Sequence, residues 1–399
     1  MGILRTLAPI RDAALIEYGC MGHMLYGRVF LHQAGVWRGC KLYSTHIDET
    51  DIAMGDTGRL SRAVAEVIQK DRPKVVFFLP SAVPTVIGTD LPAICQELQF
   101  DYPDTLLLPF GAGGFEVTGS RGVQEALLRL VRELPKDTGQ TVDPTFNIIG
   151  SCADMFRFHA DAEEINRIMK GAFGARSICV MTSDTSIEDI EQMGGARINL
   201  VIRREAEPAA RHLRERFGTP YLLGRPYGIQ GTADWLAEVQ KVSELALDSV
   251  FVRGETETAK AQLSPAMPAL NHIIRAHREE AILSIGGPID VVKGIIRFAQ
   301  EELSLRRGIC WCDSEEAAER EIPYFTEKQW TDAIRSQTKG IVMASGEALG
   351  WAGRNMELQV ANPDTKWRLS PYEPPFVGFR GAVHLAGLWL NALLEQEKH

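Results

Sequence analysis

Short apolar runs alternate along the chain with longer stretches of helical periodicity. Each run precedes a turn rich in Gly, Pro, Ser or Asp, and an amphipathic segment follows that turn. The runs are VVFFLP (75–80), TLLLPF (105–110), FNIIGS (146–151), SICVMT (177–182), INLVI (198–202), AILSIG (281–286) and GIVMAS (340–345). Such alternation is typical of βα units, whose strands form parallel sheets. Because the runs are nearly continuous in apolar residues, as in strands covered on both faces, the pattern predicts an α/β fold of several Rossmann-like, doubly wound parallel-sheet domains.

Two changes in this pattern suggest domain boundaries. The stretch LPKDTGQTVDPT (134–145) is polar and rich in turn residues, as in a linker. A second change in composition comes near 248–268. We therefore expect an α/β domain at 1–140, a second Rossmann-like domain at 141–247 and a third at 248–375, with a C-terminal helix at 376–399 that completes the first domain.

Composition narrows the classes of function. The chain has 399 residues and a formal net charge of −9, with no long basic block, so no nucleic-acid partner is expected. It has no apolar run of membrane-spanning length and no N-terminal apolar segment of the signal-peptide type, so no membrane association is expected. Seven cysteines without an export signal favour reduced thiols in a cytoplasmic protein. Reduced thiols are free to bind metal.

Two cysteines stand out by their local sequence. Cys20 and Cys40 each follow a glycine, which predicts that both lie on turns. Thiolates on turns can present sulfur to a soft metal or an iron–sulfur cluster, but two are too few for a cluster held by four cysteines. Spacing alone leaves open whether the segment 16–40 is a metal site or an apolar segment with thiols. A cluster shared across a subunit interface would supply the missing ligands.

The order of several segments resembles the nitrogenase component 1 family over most of the chain. IEYGC (16–20) is similar to the family's HGPxGC turn, and KVVFFLPSAVPTVIGTDLPAIC (74–95) to its strand and TCxxxxIGDD turn. Five further pieces follow in family order: THIDETDIAMGDTGRLSRAVAEV (45–67), FNIIGS (146–151), TSDTSIEDIEQMGGARINLVI (182–202), HLRERFGTPYL (212–222) and VGFRGAVHLAGLWLNALL (377–394). The resemblance implies several Rossmann-like domains and a cysteine, Cys20, that binds an interface cluster.

Departures from the family pattern refine this expectation. The family's TC cysteine falls on Ala82, and the cofactor-binding cysteine of its α-type subunits falls on Arg203. The resemblance is therefore closer to the β-type half of the family, especially to the scaffold β-type, which gives one cysteine to a shared [4Fe–4S] cluster while its partner gives three. It implies an α2β2 assembly and a separate ATP-dependent iron–sulfur reductase that delivers electrons. Cys20 is the expected ligand and Cys40 a second candidate, and the possible near-shell residues are Ser81, His23 and His46.

Three functions remain open on the sequence. The first is a subunit of a nitrogenase-like two-component reductase that relays electrons to a substrate or metallocluster. The second is a scaffold subunit for the assembly of an iron–sulfur cofactor. The third is a cluster-free subunit that only shapes a partner's site. A homodimer, in which Cys20 and Cys40 of both chains supply four thiolates, is a further alternative to the heterotetramer.

Overall fold

A computed structural model describes most of the chain. The described residues are 1–19, 21–36, 38–54, 57–86, 88–111, 118–276, 281–337, 339–350, 357–362 and 374–396. They form three parallel four-stranded sheets, one after another along the sequence, each with flanking helices. The expected α/β fold with several Rossmann-like sheets is confirmed.

The first sheet contains the amino-terminal strands. Its strands are β1 (Ala13–Tyr18), β2 (Lys41–Ser44), β3 (Val75–Pro80) and β4 (Leu106–Pro109), in the spatial order β2-β1-β3-β4. The helices around it are α1 (Gly2–Leu7), α2 (Met21–Gln33), α3 (Glu49–Met54), α4 (Gly58–Asp71), α5 (Ala82–Val86), α6 (Leu91–Gln99) and α7 (Gly119–Glu133). Every residue of β1 is buried, because it is a central strand packed on both faces.

The second and third sheets repeat this topology. The second holds β5 (Thr145–Ile149), β6 (Arg176–Met181), β7 (Ile198–Val201) and β8 (Tyr221–Leu223) in the order β6-β5-β7-β8. The third holds β9 (Ile282–Gly287), β10 (Arg306–Cys312), β11 (Ile341–Ser345) and β12 (Glu357–Ala361) in the order β10-β9-β11-β12. All strand pairs are parallel. In each sheet, therefore, the second strand lies on one side of the first strand and the third strand lies on the other, so the connections diverge between the first and the third strand.

Helices cover the second and third sheets and connect them. They are α8 (Phe158–Phe173), α9 (Ile187–Glu191), α10 (Glu207–Phe217), α11 (Ile229–Ser243), α12 (Ser249–Leu263), α13 (Met267–Ala276), α14 (Ile289–Leu303), α15 (Glu327–Ser336), α16 (Gly346–Gly350) and α17 (Gly378–Gln396). Three 3₁₀ turns lie at Met193–Gly195, Arg204–Ala206 and Glu315–Ala317. One apolar core, which includes Leu15, Phe146, Ile285 and Trp389, runs through all three sheets.

The C-terminal helix differs from the sequence-based expectation. α17 packs against α8, α11, α12 and α13 and against β11. These contacts lie around the second and third sheets. The helix was expected to complete the first domain, which would need contacts around the first sheet instead. No helix of the described part is long and apolar enough to cross a membrane.

Candidate functional site

The crevice at the carboxyl edge of the first sheet is the candidate site. In doubly wound sheets, ligands bind where the connections turn in opposite directions, which here is between β1 and β3. Gly19 follows β1, and Ser81 follows β3. The backbone N–H of Ser81 donates to the Tyr18 carbonyl at 2.9 Å, which holds the two loops side by side.

The loop after β2 completes the edge. The Gly19 N–H donates to Oγ1 of Thr45 at 3.0 Å, and the Ile47 N–H donates to the Gly19 carbonyl at 3.1 Å. Gly19 is therefore held from both sides, with both of its backbone hydrogen-bonding groups in use. Thr45 was not among the residues singled out from the sequence. Its position directly after a short strand was the only signal that could have pointed to it.

Gly19 and Ser81 approach each other so closely that only glycine fits. A Cβ atom on Gly19 would collide with Oγ and Cβ of Ser81. Ser81 is only 6% exposed, and its Oγ has no hydrogen-bond partner among the described residues. A buried hydroxyl without a partner is unfavourable by about 1–3 kcal/mol. An acceptor supplied from outside these residues, such as a metal-bound sulfur, would satisfy the Ser81 hydroxyl. This donor therefore fits an iron–sulfur cluster bound at the position of Cys20.

The other predicted residues of this edge are only partly described. Cys20 itself lies outside the described residues, between Gly19 and the first residue of α2. His23 lies in α2, and its side chain is not among those described. His46 has a left-handed backbone, with φ 51°, and an exposed side chain, while its carbonyl accepts from Nη1 of Arg59 at 2.8 Å. Ser81 and His46 thus share an edge with the position of Cys20.

Glu17 is a buried carboxyl close to this edge that the sequence reasoning missed. It is the one charged residue of β1 and is buried in the first sheet. Burial raises the pKa of Glu17 to about 7, although a backbone N–H of Met24 favours the charged form. A single acidic residue inside an apolar run was the available signal. At neutral pH this carboxyl can hold or release a proton.

Cys40 lies at the opposite edge of the sheet. β1 and β2 pair in the register Ala14 with Lys41 and Glu17 with Ser44, so Cys40 lies next to the beginning of β1. The four residues of β2 separate it from Thr45, and these five residue steps span about 16 Å at the usual rise. Its Sγ donates to the Leu7 carbonyl at 3.1 Å, and burial raises the pKa of the thiol. The structure therefore does not bring Cys40 to the edge that follows β1.

The corresponding crevice of the second sheet is filled by an arginine. Arg203 follows β7, and its Nη1 donates to both carboxylate oxygens of Asp154, at 2.8 and 2.9 Å. Its Nε donates to Glu205 at 3.0 Å. The side chain crosses Gly150, where a Cβ would lie 2.6 Å from Cγ of Arg203. A guanidinium has no lone pair to offer a metal, so this crevice holds an ion-pair network around Arg203.

An apolar stripe borders the first crevice. Leu25, Tyr26 and Val29 are 61%, 62% and 43% exposed and lie on one face of α2, at helical spacing. Met54 at the end of α3 and Val86 at the end of α5 are also largely exposed. These two helices follow β2 and β3, and Leu25 lies near the start of α2, so these three side chains lie towards the carboxyl edge of the sheet, whereas Val29 lies one turn further along α2. Apolar side chains grouped in this way mark an interaction surface more often than scattered ones do.

Comparison with known proteins places the chain in a family. The model of nitrogenase component 1 type oxidoreductases matches residues 1–394. The NifE protein of Bradyrhizobium diazoefficiens, a nitrogenase iron-molybdenum cofactor biosynthesis protein, is 25% identical over 297 residues, which cover 71% of this chain and 52% of that protein. One subunit of the light-independent protochlorophyllide reductase of Prosthecochloris aestuarii is 27% identical over 190 residues, which cover 47% of this chain and 35% of that protein.

A solved structure agrees in fold. Nitrogenase Cp1 at pH 6.5 superimposes with a TM-score of 0.78 at 16% sequence identity, covering 99% of this chain and 92% of that one. The match to the NifE proteins spans about half of their length, at 52% for Bradyrhizobium diazoefficiens and 51% for Clostridium pasteurianum. On the family match, the chain belongs to the nitrogenase component 1 family of oxidoreductase-type proteins.

Proposed function

We propose that this chain is a subunit of a nitrogenase-like two-component reductase and holds one side of an iron–sulfur cluster at a subunit interface. The observation that carries the proposal is the crevice between β1 and β3, where Gly19 and the unpartnered hydroxyl of Ser81 flank the position of Cys20. A bound [4Fe–4S] cluster would supply one-electron transfer. Electrons would come from an ATP-dependent iron–sulfur reductase and pass to a substrate or metallocluster.

In this proposal each residue of the edge has a separate task. Cys20 provides the thiolate ligand. Gly19 is held by Thr45 and Ile47. Because it has no side chain, the backbone next to Cys20 can approach Ser81 closely. The Ser81 hydroxyl, which has no partner among the described residues, would donate a hydrogen bond to a cluster sulfur and so tune the cluster's reduction potential. The exposed side chains of Leu25, Tyr26 and Val29 bind the partner and exclude water.

A homologous α-type subunit is the proposed partner. Within the described part of the chain, no three His, Cys, Asp or Glu side chains converge on one point. Cys40 lies at the other edge of the sheet, so this proposal does not use it as a ligand. The homodimer, which needed Cys40 of both chains, is not part of the proposal either. The partner would supply the remaining cluster ligands, and two such pairs would form an α2β2 assembly.

A scaffold function is the second candidate. Several relatives are NifE proteins, whose name describes iron-molybdenum cofactor biosynthesis. A scaffold needs the same crevice and the same partner, but it passes a cofactor on instead of reducing a substrate. The Arg203 network is compatible with both functions, because it lies in the second sheet and not at the proposed cluster site in the first sheet.

Replacement of single cysteines tests the ligand assignment. We expect Cys20→Ala to lower the iron content of the anaerobically purified complex from about four irons per heterodimer, with loss of the EPR signal of the reduced cluster. Cys40→Ala is the matched control, and we expect it to retain the iron. Unchanged iron in Cys20→Ala would refute the assignment, and loss of iron in Cys40→Ala would restore Cys40 as a ligand.

Turnover separates the two candidate functions. The intact complex, given the reductase component, ATP and a reducible substrate, should consume electrons with product formation if it is a catalyst. A scaffold should instead transfer its iron to an apo-acceptor without turnover. If the complex folds, assembles and contains no iron at all, both candidates fail and the cluster-free subunit remains.

A further inference from the structure

A cationic pocket opens at the amino edge of the first sheet, away from the candidate site. It has a volume of about 360 Å³ and lies between α2, the start of β2 and the last turn of α4. Four cationic side chains line it: Arg28, Arg38, Lys41 and Lys70. No carboxylate is among the described residues that line it. We refer to it as the cationic pocket.

The four charges of the cationic pocket are not neutralised by ion pairs within the described part of the chain. None of these side chains has an ion pair with a described carboxylate, although all four are exposed. Elsewhere arginines and lysines pair freely, as Arg59 does with Asp51 at 2.7 Å and Lys293 with Glu319 at 2.8 Å. The chain as a whole has a formal charge of −9. Four like charges around one cavity repel each other, and a bound anion relieves that repulsion.

The walls of the pocket are fixed by contacts below it. The Cys40 N–H donates to the Ala8 carbonyl at 2.9 Å, and its Sγ donates to the Leu7 carbonyl at 3.1 Å. A Cβ on Gly39 would collide with the Ala8 carbonyl and come within 3.0 Å of the Cα of Pro9. The loop that carries Arg38 and Lys41 is therefore pinned against the end of α1. The backbone of this wall is fixed, and the exposed side chains of Arg38 and Lys41 are attached to it.

Tyr43 orders the opposite wall. Its hydroxyl donates to Asp71, so the charges of Asp71 and of Glu66, which both act on Tyr43, lie beside the pocket without lining it. Nζ of Lys70 lies 5.6 Å from the centre of the Tyr43 ring, close enough for a cation–π contact that leaves its N–H groups available. The lining thus offers two planar guanidinium groups and two ammonium groups. This combination matches phosphate oxygens, which accept from both kinds of donor.

We propose that the cationic pocket binds a small molecule through a diphosphate group. A diphosphate brings three or more negative charges into a space of this size, which approaches the four positive charges that line it. A single phosphate would leave much of the repulsion in place. The pocket volume is at the lower end of the range for small-ligand sites, so it suits pyrophosphate or the diphosphate end of a nucleotide. The proposal is independent of the cluster.

Titration calorimetry with pyrophosphate tests the proposal on the full chain with any copurifying subunit. We expect binding with a dissociation constant below about 1 mM at about 0.1 M ionic strength. The double variant Arg38→Gln/Lys41→Gln should weaken binding by at least about tenfold. The matched control is Arg253→Gln/Lys260→Gln on α12, which removes the same charge from exposed positions outside the pocket. The control should bind as the unaltered chain does.

Further titrations identify the source of the diphosphate. Competition between ADP and pyrophosphate, with AMP much weaker, would assign the site to a nucleotide diphosphate. Binding of pyrophosphate without ADP would assign it to the free ion. No binding of pyrophosphate at millimolar concentration, equal weakening by both double variants, or sulfate binding as tightly would overturn the proposal. Neither double variant should change the iron content, which keeps this test separate from that of Cys20.

Discussion

At the scale of single residues, buried charges decide how the first sheet responds to pH. Glu17 is buried in β1, and burial raises its pKa from 4.5 to about 7. The folded chain therefore holds a proton that the unfolded chain releases at lower pH. Between these two pKa values the folded state binds more protons, so its stability falls as pH rises, and the penalty is complete above about pH 7.

Glu17→Gln should remove this pH dependence. We expect the unaltered chain to lose up to about 3 kcal/mol of unfolding free energy, relative to the Gln variant, between about pH 5 and pH 8. Urea denaturation at both pH values measures the unfolding free energy of each chain. A difference between the two chains that is already present at the lower pH reports only how the amide packs. Glu163→Gln, at an exposed position of α8, controls for net charge. Parallel pH profiles for Glu17→Gln and the unaltered chain would contradict the assignment.

The sequence identified part of the site because motif order and turn chemistry are local. Ser81 could be placed because it follows a predicted strand, β3, whereas His46 follows β2, which the apolar pattern did not predict, and was named only through the family resemblance. Cys40 could not be excluded, since the register of β1 against β2 decides which end of the sheet it occupies. The close approach of Gly19 to Ser81 and the role of Thr45 depend on three loops that meet only after folding.

At the scale of elements, buried polar contacts attach the C-terminal helix. Asp161 in α8 pairs with Arg225, and the side chains of both are nearly fully buried. The other oxygen of Asp161 accepts from the Phe376 N–H at 2.7 Å, two residues before α17 begins. The Gly378 N–H donates to the Pro226 carbonyl at 2.7 Å. One carboxylate thus holds both the loop after β8 and the start of α17.

Asp161→Ala should destabilise the chain and loosen α17. Removal of one partner leaves the Arg225 charge buried and the Phe376 N–H without an acceptor, so we expect a loss of about 3–5 kcal/mol in unfolding free energy. Protease cleavage within 374–378 should become faster. Glu163→Ala on the exposed face of the same helix should change stability by less than about 0.5 kcal/mol. Asp161→Leu/Arg225→Met should recover the part of the loss that comes from the unpaired Arg225 charge, because the Phe376 N–H still lacks its acceptor. Equal stability of Asp161→Ala and Glu163→Ala would refute the attachment.

The apolar pattern found the strands that are nearly continuous in apolar residues, both inside the sheets (β3, β5, β7, β9 and β11) and at an edge (β4 and β6). All seven apolar runs proved to be strands, in good agreement with the bounds. The missed strands were β1, β2, β8, β10 and β12. Except for β1, these are edge strands of their sheets, and an edge strand has one exposed side that takes polar residues. β10 begins with Arg306 and Arg307, and β1 contains Glu17, so neither is a continuous apolar run.

At the scale of the whole molecule, one topology serves different purposes. Each of the three sheets has a crevice between its first and third strands. In the second sheet, Arg203 fills that crevice over Gly150. In the first sheet, the crevice retains a buried hydroxyl without a partner among the described residues, and exposed apolar side chains stand beside it. The hydroxyl without a described partner and the exposed side chains lie in the same part of the first sheet, as expected if a second chain completes the site.

Assembly should depend on the exposed face of α2. Leu25→Asp/Val29→Asp places two charges on adjacent turns of the proposed interface, where burial of unpaired carboxylates opposes association. We expect the variant to remain folded, because both positions are already exposed, but to lose its partner subunit in size-exclusion chromatography and affinity copurification. Phe100→Asp/Val142→Asp is the control, since these positions are 84% and 98% exposed and lie away from the carboxyl edge of the first sheet. If both variants retain the partner equally, the interface lies elsewhere, and the cluster then needs another source for its remaining ligands.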